Sequence, residues 1–250
     1  MVEHPVPRGT GILPVNDSHG QDGRATIRIR QGAYLPHWTR DGGFYAVVFR
    51  LHDSLPAHVV AAWKAERERL LKKRSLTVSD EEQLQTLFSE RVEKQLDAGY
   101  GDCWMRKPEI ADVVANALNH FDGDRYRLLA WCVMPNHVHV VVRPNPGHEL
   151  ERILHSWKSF TAKQANILLR RTGPFWQPEY YDHLVRDEAD LFHVVEYVLN
   201  NPLVAGLCNC RWVGACADLI AILDSGTDKS GTGILPVVKN HGQDGRATLS

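Results

Sequence analysis

The sequence predicts an α+β protein: a ferredoxin-like antiparallel sheet with helices on one face, plus a helical insert and irregular tails. Three observations carry this. Strand-like runs occur at 42–51, 125–134, 137–143 and 175–185. Helical periodicity occurs at 108–121, 149–170 and 190–200. With a charged helical stretch at about 56–105 set aside, the order is β-α-β-β-α-β-α, the pattern of a split βαβ sheet.

Taken in order, GGFYAVVFRL (42–51) puts β-branched and aromatic residues behind a glycine pair, the signature of a strand. AAWKAERERLLKKR (61–74) and EEQLQTLFSERVEKQL (81–96) read as two charged helices, with Ser79 or Asp80 as a cap for the second. PEIADVVANALNHF (108–121) is amphipathic and starts on a proline, which suits a first helical turn. RYRLLAWCVM (125–134) reads as a buried strand, and Pro135–Asn136 as a tight turn. HVHVVVR (137–143) alternates and returns as the partner strand. In 149–170, Leu150, Ile153, Leu154, Trp157 and Phe160 fall on one helical face. FWQPEYYDHLV (175–185) is extended. DLFHVVEYVLN (190–200) is a helix, ended by Pro202 and Gly206.

The 250 residues suffice for one large domain or two small ones, with 43% hydrophobic and 24% charged residues to build a core and a surface. No apolar run is long enough to span a bilayer, and the N-terminus lacks a basic-then-apolar leader, so a cytoplasmic protein is expected. A net charge of −1 gives no global attraction to nucleic acid. Locally, residues 143–171 carry six Lys/Arg against two Glu. Arg143, Lys158, Lys163, Arg170 and Arg171 there are the candidate DNA contacts. A solvated helix face would show the same charge pattern. Five cysteines, an odd number, argue for free thiols, and Cys208, Cys210 and Cys216 form no C-x-x-C zinc pair.

Two features carry chemistry. His137 and His139 lie two apart on a strand, so both imidazoles point to one face, a natural half-site for a divalent metal. The spacing alone names no reaction, and it also suits a polar strand face. Tyr197 lies off the apolar stripe Leu191, Val194, Val195, Val198 and Leu199, with His193 and Asn201 one turn away on either side. Asn201 can offer an amide oxygen to a metal beside the phenol. A free tyrosine, with a pKa near 10, is a poor nucleophile; a metal that polarises the phosphate and stabilises the phenolate would activate it. An amphipathic tyrosine at the core edge is the plain alternative.

AWCVMPNHVHVVVRP (130–144) and EYVLNNPLVAGL (196–207) resemble the REP-associated tyrosine transposases, a branch of the single-tyrosine HUH transposases. YLPHW (34–38), FYAVVFRLHDSLP (44–56), LDAGYGDCWM (96–105) and HSWKSFTAKQAN (155–166) are similar to that family as well, so the likeness covers about 32–215. The resemblance implies a metal-dependent endonuclease and strand transferase. It would act on single-stranded hairpin DNA through a covalent phosphotyrosine, as monomer or homodimer. It implies Tyr197 as nucleophile, His137 and His139 as ligands of Mg2+ or Mn2+, and Asn201 as third ligand. The chain departs from the family at Ala46 and Val48, where an aromatic residue and a threonine are usual. Two other classes compete: a His-pair metal hydrolase, and a non-catalytic nucleic-acid-binding ferredoxin-like protein.

The expected division is an irregular tail (1–31), a catalytic domain (32–217) holding the insert, and a second tail (218–250). The tails repeat each other: GTGILPV stands at 9–15 and 231–237, HGQDGRAT at 19–26 and 241–248. Paired from the outside in, residues 8–15 and 19–26 have codons that permit reverse complements at every pair except Gly11–Gly23. Residues 230–237 and 241–248 behave alike, with Gly233–Gly245 as the exception. The arms agree while the three-codon loops differ (NDS against VKN), as expected of translated DNA palindromes.

Overall fold

The computed structural model describes residues 36–71, 93–207, 210–217 and 219, together with short strands at 12–13, 28–31, 238–240 and 247–249. In chain order the elements are β1 (Ile12–Leu13), β2 (Arg28–Gln31), β3 (Pro36–Thr39), β4 (Tyr45–Arg50), α1 (Ala57–Leu71), α2 (Lys94–Asp97) and a 3-10 turn (Trp104–Arg106). Then come α3 (Pro108–His120), β5 (Tyr126–Val133), β6 (His137–Pro144), α4 (Leu150–Leu168), β7 (Tyr181–Leu184), α5 (Glu188–Val204), β8 (Val213–Ala215), β9 (Val238–Asn240) and β10 (Ala247–Leu249).

The main sheet runs β7-β4-β6-β5-β8-β10-β9, and its paired strands are antiparallel. Its first four strands have the order of the expected ferredoxin-like sheet. A two-residue turn joins β5 to β6, with the Met134 amide donating to the His137 carbonyl at 2.9 Å. Strand alternation then sorts the side chains. Val138, Val140 and Val142 join Phe49, Leu118, Leu154 and Trp157 in one core. Val141, Ala130 and Cys132 point the other way, against Val195, Val198 and Leu199 of α5.

The expectation of helices on one face therefore holds for α3 and α4 but not for α5, which covers the opposite face. The reason lies in β5 and β6, which are buried on both faces and so are covered twice. A polar tie locks the first layer: Trp157 Nε1 donates to Tyr126 Oη at 2.9 Å, and Tyr126 Oη to the Leu118 carbonyl at 2.8 Å.

Three further expectations change. Phe160 is 52% exposed; Thr161 and Ala165 continue the buried stripe of α4 instead. Pro202 does not end α5 but lies inside its last turn. The helix stops at Gly206, whose φ of +77° lets Gly206 N donate to Leu203 O (3.0 Å) and Leu207 N to Pro202 O (2.7 Å). The tails are not wholly irregular, since β1, β2, β9 and β10 form by backbone pairing, which needs no apolar pattern. The rest of both tails, and residues 72–92 of the expected insert, lie outside the described residues.

Candidate active site

The centre forms where β6 passes beneath α5. His137 and His139 are buried, and their Nε2 atoms face each other at 2.9 Å. The β4–β6 register sets Val48 opposite His139 and Arg50 opposite His137. On the far side of His137, its Nδ1 donates to Asn136 Oδ1 at 2.7 Å. The Asn136 amide is itself fixed, because its Nδ2 donates to the Leu96 and Tyr100 carbonyls, both at 3.0 Å. That leaves Oδ1 as the face toward His137, places the proton on Nδ1 and leaves the Nε2 lone pair aimed into the centre. Burial pushes both imidazoles down, His139 to about 3 and His137 well below its ordinary value with help from its neighbour. Both are therefore neutral, the state in which an imidazole ligates a metal.

Tyr197 stands over the pair, its ring edge-on to His139 with centroids 5.6 Å apart. The nucleophile and the histidines expected from sequence thus meet within one chain. Asn201, one turn on, is buried, and its Oδ1 is without a hydrogen-bond partner. A buried amide oxygen left unpaired costs free energy, about 1–3 kcal/mol, so it marks a place where a further partner fits. Two convergent neutral imidazoles and one orphaned oxygen on the same helix as the tyrosine suit a divalent metal. Among the described residues no group of three or more His, Cys, Asp or Glu side chains is placed to hold a metal ion, so a ligand set here would be the two imidazoles with the Asn201 amide oxygen.

Two carboxylates escape sequence reasoning. Glu93 and Asp97, one turn apart at the end of the insert, come back against this centre. The Tyr197 phenol donates to Glu93. Asp97 Oδ1 lies 3.8 Å from His137 Nε2. Burial pushes Glu93 up to about 7, against the pull of the phenol hydrogen bond. Burial, then the Glu93 and Asp97 charges, push the Tyr197 phenol far above its ordinary value. The available sequence signal was the E-x-x-x-D spacing, which puts both on one helix face. Nothing in the sequence said which face would meet the histidines.

The five candidate DNA cations are not gathered here. Lys158, Lys163 and the Arg170–Arg171 end belong to α4, on the side of the sheet away from the histidines. Lys158 is tied up: its Nζ donates to the Gln177 and Pro178 carbonyls at 2.6 and 2.7 Å, and burial lowers it to about 8. Arg171 donates to the Pro174 carbonyl at 3.2 Å, and Arg143 lies over the Phe44 ring. Lys163 and Arg170 are exposed.

The family model described as transposase IS200-like matches residues 105–201, the stretch from the 3-10 turn through His137, His139 and Tyr197 to Asn201. That match covers 97 of the chain's 250 residues. This chain is 26% identical over 91 residues to a Haemophilus influenzae protein named as a REP-associated tyrosine transposase, covering 32% of this chain and 52% of that one. It is 25% identical over 93 residues to the REP-associated tyrosine transposase of Escherichia coli, covering 37% of this chain and 51% of that one. The chain thus spans about half the length of the curated relatives it matches. Among solved structures it is similar to a REP-associated tyrosine transposase bound to a REP hairpin. There the TM-score is 0.39 at 19% identity, covering 71% of this chain and 76% of that one. A crystallised transposase from Deinococcus radiodurans gives a TM-score of 0.27 at 16% identity, covering 63% and 88%. Among the described residues no helix is long and apolar enough to cross a membrane.

Proposed function

We propose that this protein is a transposase, a metal-dependent endonuclease and strand transferase. It cuts single-stranded DNA at palindromic hairpins by forming a covalent phosphotyrosine at Tyr197. The observation that carries this is the meeting of Tyr197 with the neutral His137–His139 pair within one chain. His137, His139 and Asn201 would hold Mg2+ or Mn2+. When bound, such an ion polarises a phosphate and favours a phenolate. Asn136 keeps the His137 tautomer correct. Tyr197, more than a third exposed, is open to a DNA strand on its solvent side. A tyrosyl phosphodiester conserves the energy of the broken bond, which suits strand transfer better than hydrolysis.

The hairpins that the codons of residues 8–26 and 230–248 permit supply a substrate to test. The wild-type protein, given Mn2+ and single-stranded DNA copied from either stretch with its flanks, is expected to yield a DNA–protein band on a denaturing gel. Tyr197→Phe removes only the phenol oxygen and is expected to keep the fold and the binding but give no band. An adduct of undiminished yield in that variant overturns the nucleophile assignment. A chelator without effect on wild-type cleavage overturns the metal.

A further inference from the structure

We propose that Glu93 is the group that takes the proton from Tyr197 when the tyrosine attacks the phosphate, and returns it when the strand is resealed. This deepens the reading above and rests on it. Among the described residues around the phenol, Glu93 is hydrogen-bonded to it, with the phenol as donor. The other neighbours do not serve. His139 meets the tyrosine as an edge-on ring, with its Nε2 turned toward His137 at 2.9 Å. Asp97 is turned to His137, 3.8 Å from its Nε2. Asn201 is an amide and cannot take up a proton. A candidate base must lie within hydrogen-bond reach of the proton it removes, and Glu93 meets that condition in the folded chain before any DNA arrives.

In the cleavage step the Tyr197 O–H bond breaks and the proton passes to a Glu93 carboxylate oxygen. The phenol oxygen forms a bond to phosphorus while the bond from phosphorus to the leaving deoxyribose oxygen breaks, and that oxygen takes a proton from water. In the resealing step a strand hydroxyl displaces the phenol oxygen, giving its proton to water. The phenol oxygen recovers its proton from the Glu93 carboxylic acid. One residue thus acts as base and then as acid, as microscopic reversibility requires. The placement also gives a reason for the half-buried position of a charged residue at 93.

The test measures single-turnover adduct formation by the full-length protein with Mn2+ and the single strand copied from codons 8–26 with its flanks. Glu93→Gln keeps a polar group of the same shape but has no basic oxygen pair; it is expected to slow the adduct about 100-fold or more while strand binding is unchanged. Replacing Tyr197 by a trifluorotyrosine, whose phenol gives up its proton more readily, is expected to narrow that deficit at least about tenfold. Glu93→Ala, a truncation at a half-buried site, is the second variant: added acetate is expected to restore its adduct rate and to leave Glu93→Gln unmoved. A Glu93→Gln rate within about threefold of wild type overturns the proposal. So does a deficit that neither the fluorinated tyrosine nor acetate changes, since that is a packing role. A wild-type protein that forms no adduct removes the strand-transfer reading and this proposal with it, so the two failures are distinct.

Discussion

Histidine meets a carboxylate at the edge of this sheet and another histidine at its centre. At the edge, His37 Nδ1 lies 2.5 Å from Asp182 Oδ1, both side chains almost wholly buried, with the His37 ring stacked 4.4 Å from Tyr180. Next to it, His183 Nε2 lies 2.8 Å from Asp190 Oδ2. These pairs tie β3, β7 and the start of α5 together, 145 residues of sequence being bridged by the first. At the centre, His137 and His139 face each other, and the one hydrogen bond of the pair to another side chain, His137 to Asn136, only orients a ring. A histidine that has a carboxylate is already satisfied. Two neutral imidazoles with converging lone pairs are not, and that is what makes a metal half-site.

The comparison breaks most sharply under substitution. His137→Ala and His139→Ala are each expected to abolish cleavage while hairpin binding persists, because phosphate and shape contacts supply most of the affinity; gel shift and adduct assays on the same samples decide this. Asp182→Ala is expected to do the reverse. It leaves cleavage chemistry in place below the melting point but destabilises the fold by about 3 kcal/mol, the cost of stripping one member from a buried pair, read by urea unfolding. Equal effects of the two kinds of variant on both assays would erase the distinction drawn here.

Smaller changes sharpen it. Asn136→Ala frees the His137 tautomer and is expected to weaken Mn2+ binding roughly 10- to 100-fold, measured by calorimetry. The centre also has a pH signature of its own. Both central imidazoles stay neutral in the folded chain but would take up protons near 6.5 when unfolded, so stability is lost as pH falls below that value. Glu93 works oppositely: raised to about 7, it holds a proton in the folded chain that the unfolded chain lacks above about 4.5. Two protons gained by the unfolded chain against one by the folded chain leave a net of one. Stability is therefore expected to fall by about 1.4 kcal/mol per unit from pH 6.5 toward 4.5, less near the acid end where the raised Asp97 adds to Glu93. Urea midpoints across that range test the slope, and a flat profile would mean that the imidazoles protonate in place. Asn201→Ala, the mildest, is expected to reduce cleavage without abolishing it, since a neutral oxygen ligand contributes less than an imidazole; complete loss would give Asn201 a larger share than the histidines leave for it.

How much was legible follows from how local each feature is. His137 and His139 share a strand, so the period of two alone puts them on one face. Tyr197 and Asn201 share a helix, so one turn relates them. The split βαβ order was readable because each strand and helix declares its own period. What sequence misjudged lay at boundaries and on faces: Phe160 scored as core by type though it sits beside the stripe, and Pro202 was read as a stop though a proline fits the last turn when a Gly206 cap follows.

The sequence by itself determined the element types, the histidine pair and the tyrosine, because strand and helix periodicity act over a few residues. Tertiary structure alone decided what surrounds them. That α5 covers the second face of the sheet goes with β5 and β6 being buried on both sides, which only their partners make visible. That Glu93 meets Tyr197, 104 residues on, and Asp97 meets His137, 40 residues on, depends on long-range packing. That Lys158 spends its charge on two carbonyls depends on where the 177–178 backbone passes. Charge and residue type are written in the chain, but the partner that turns a carboxylate into a base, or a lysine into a strut, comes from packing at long range.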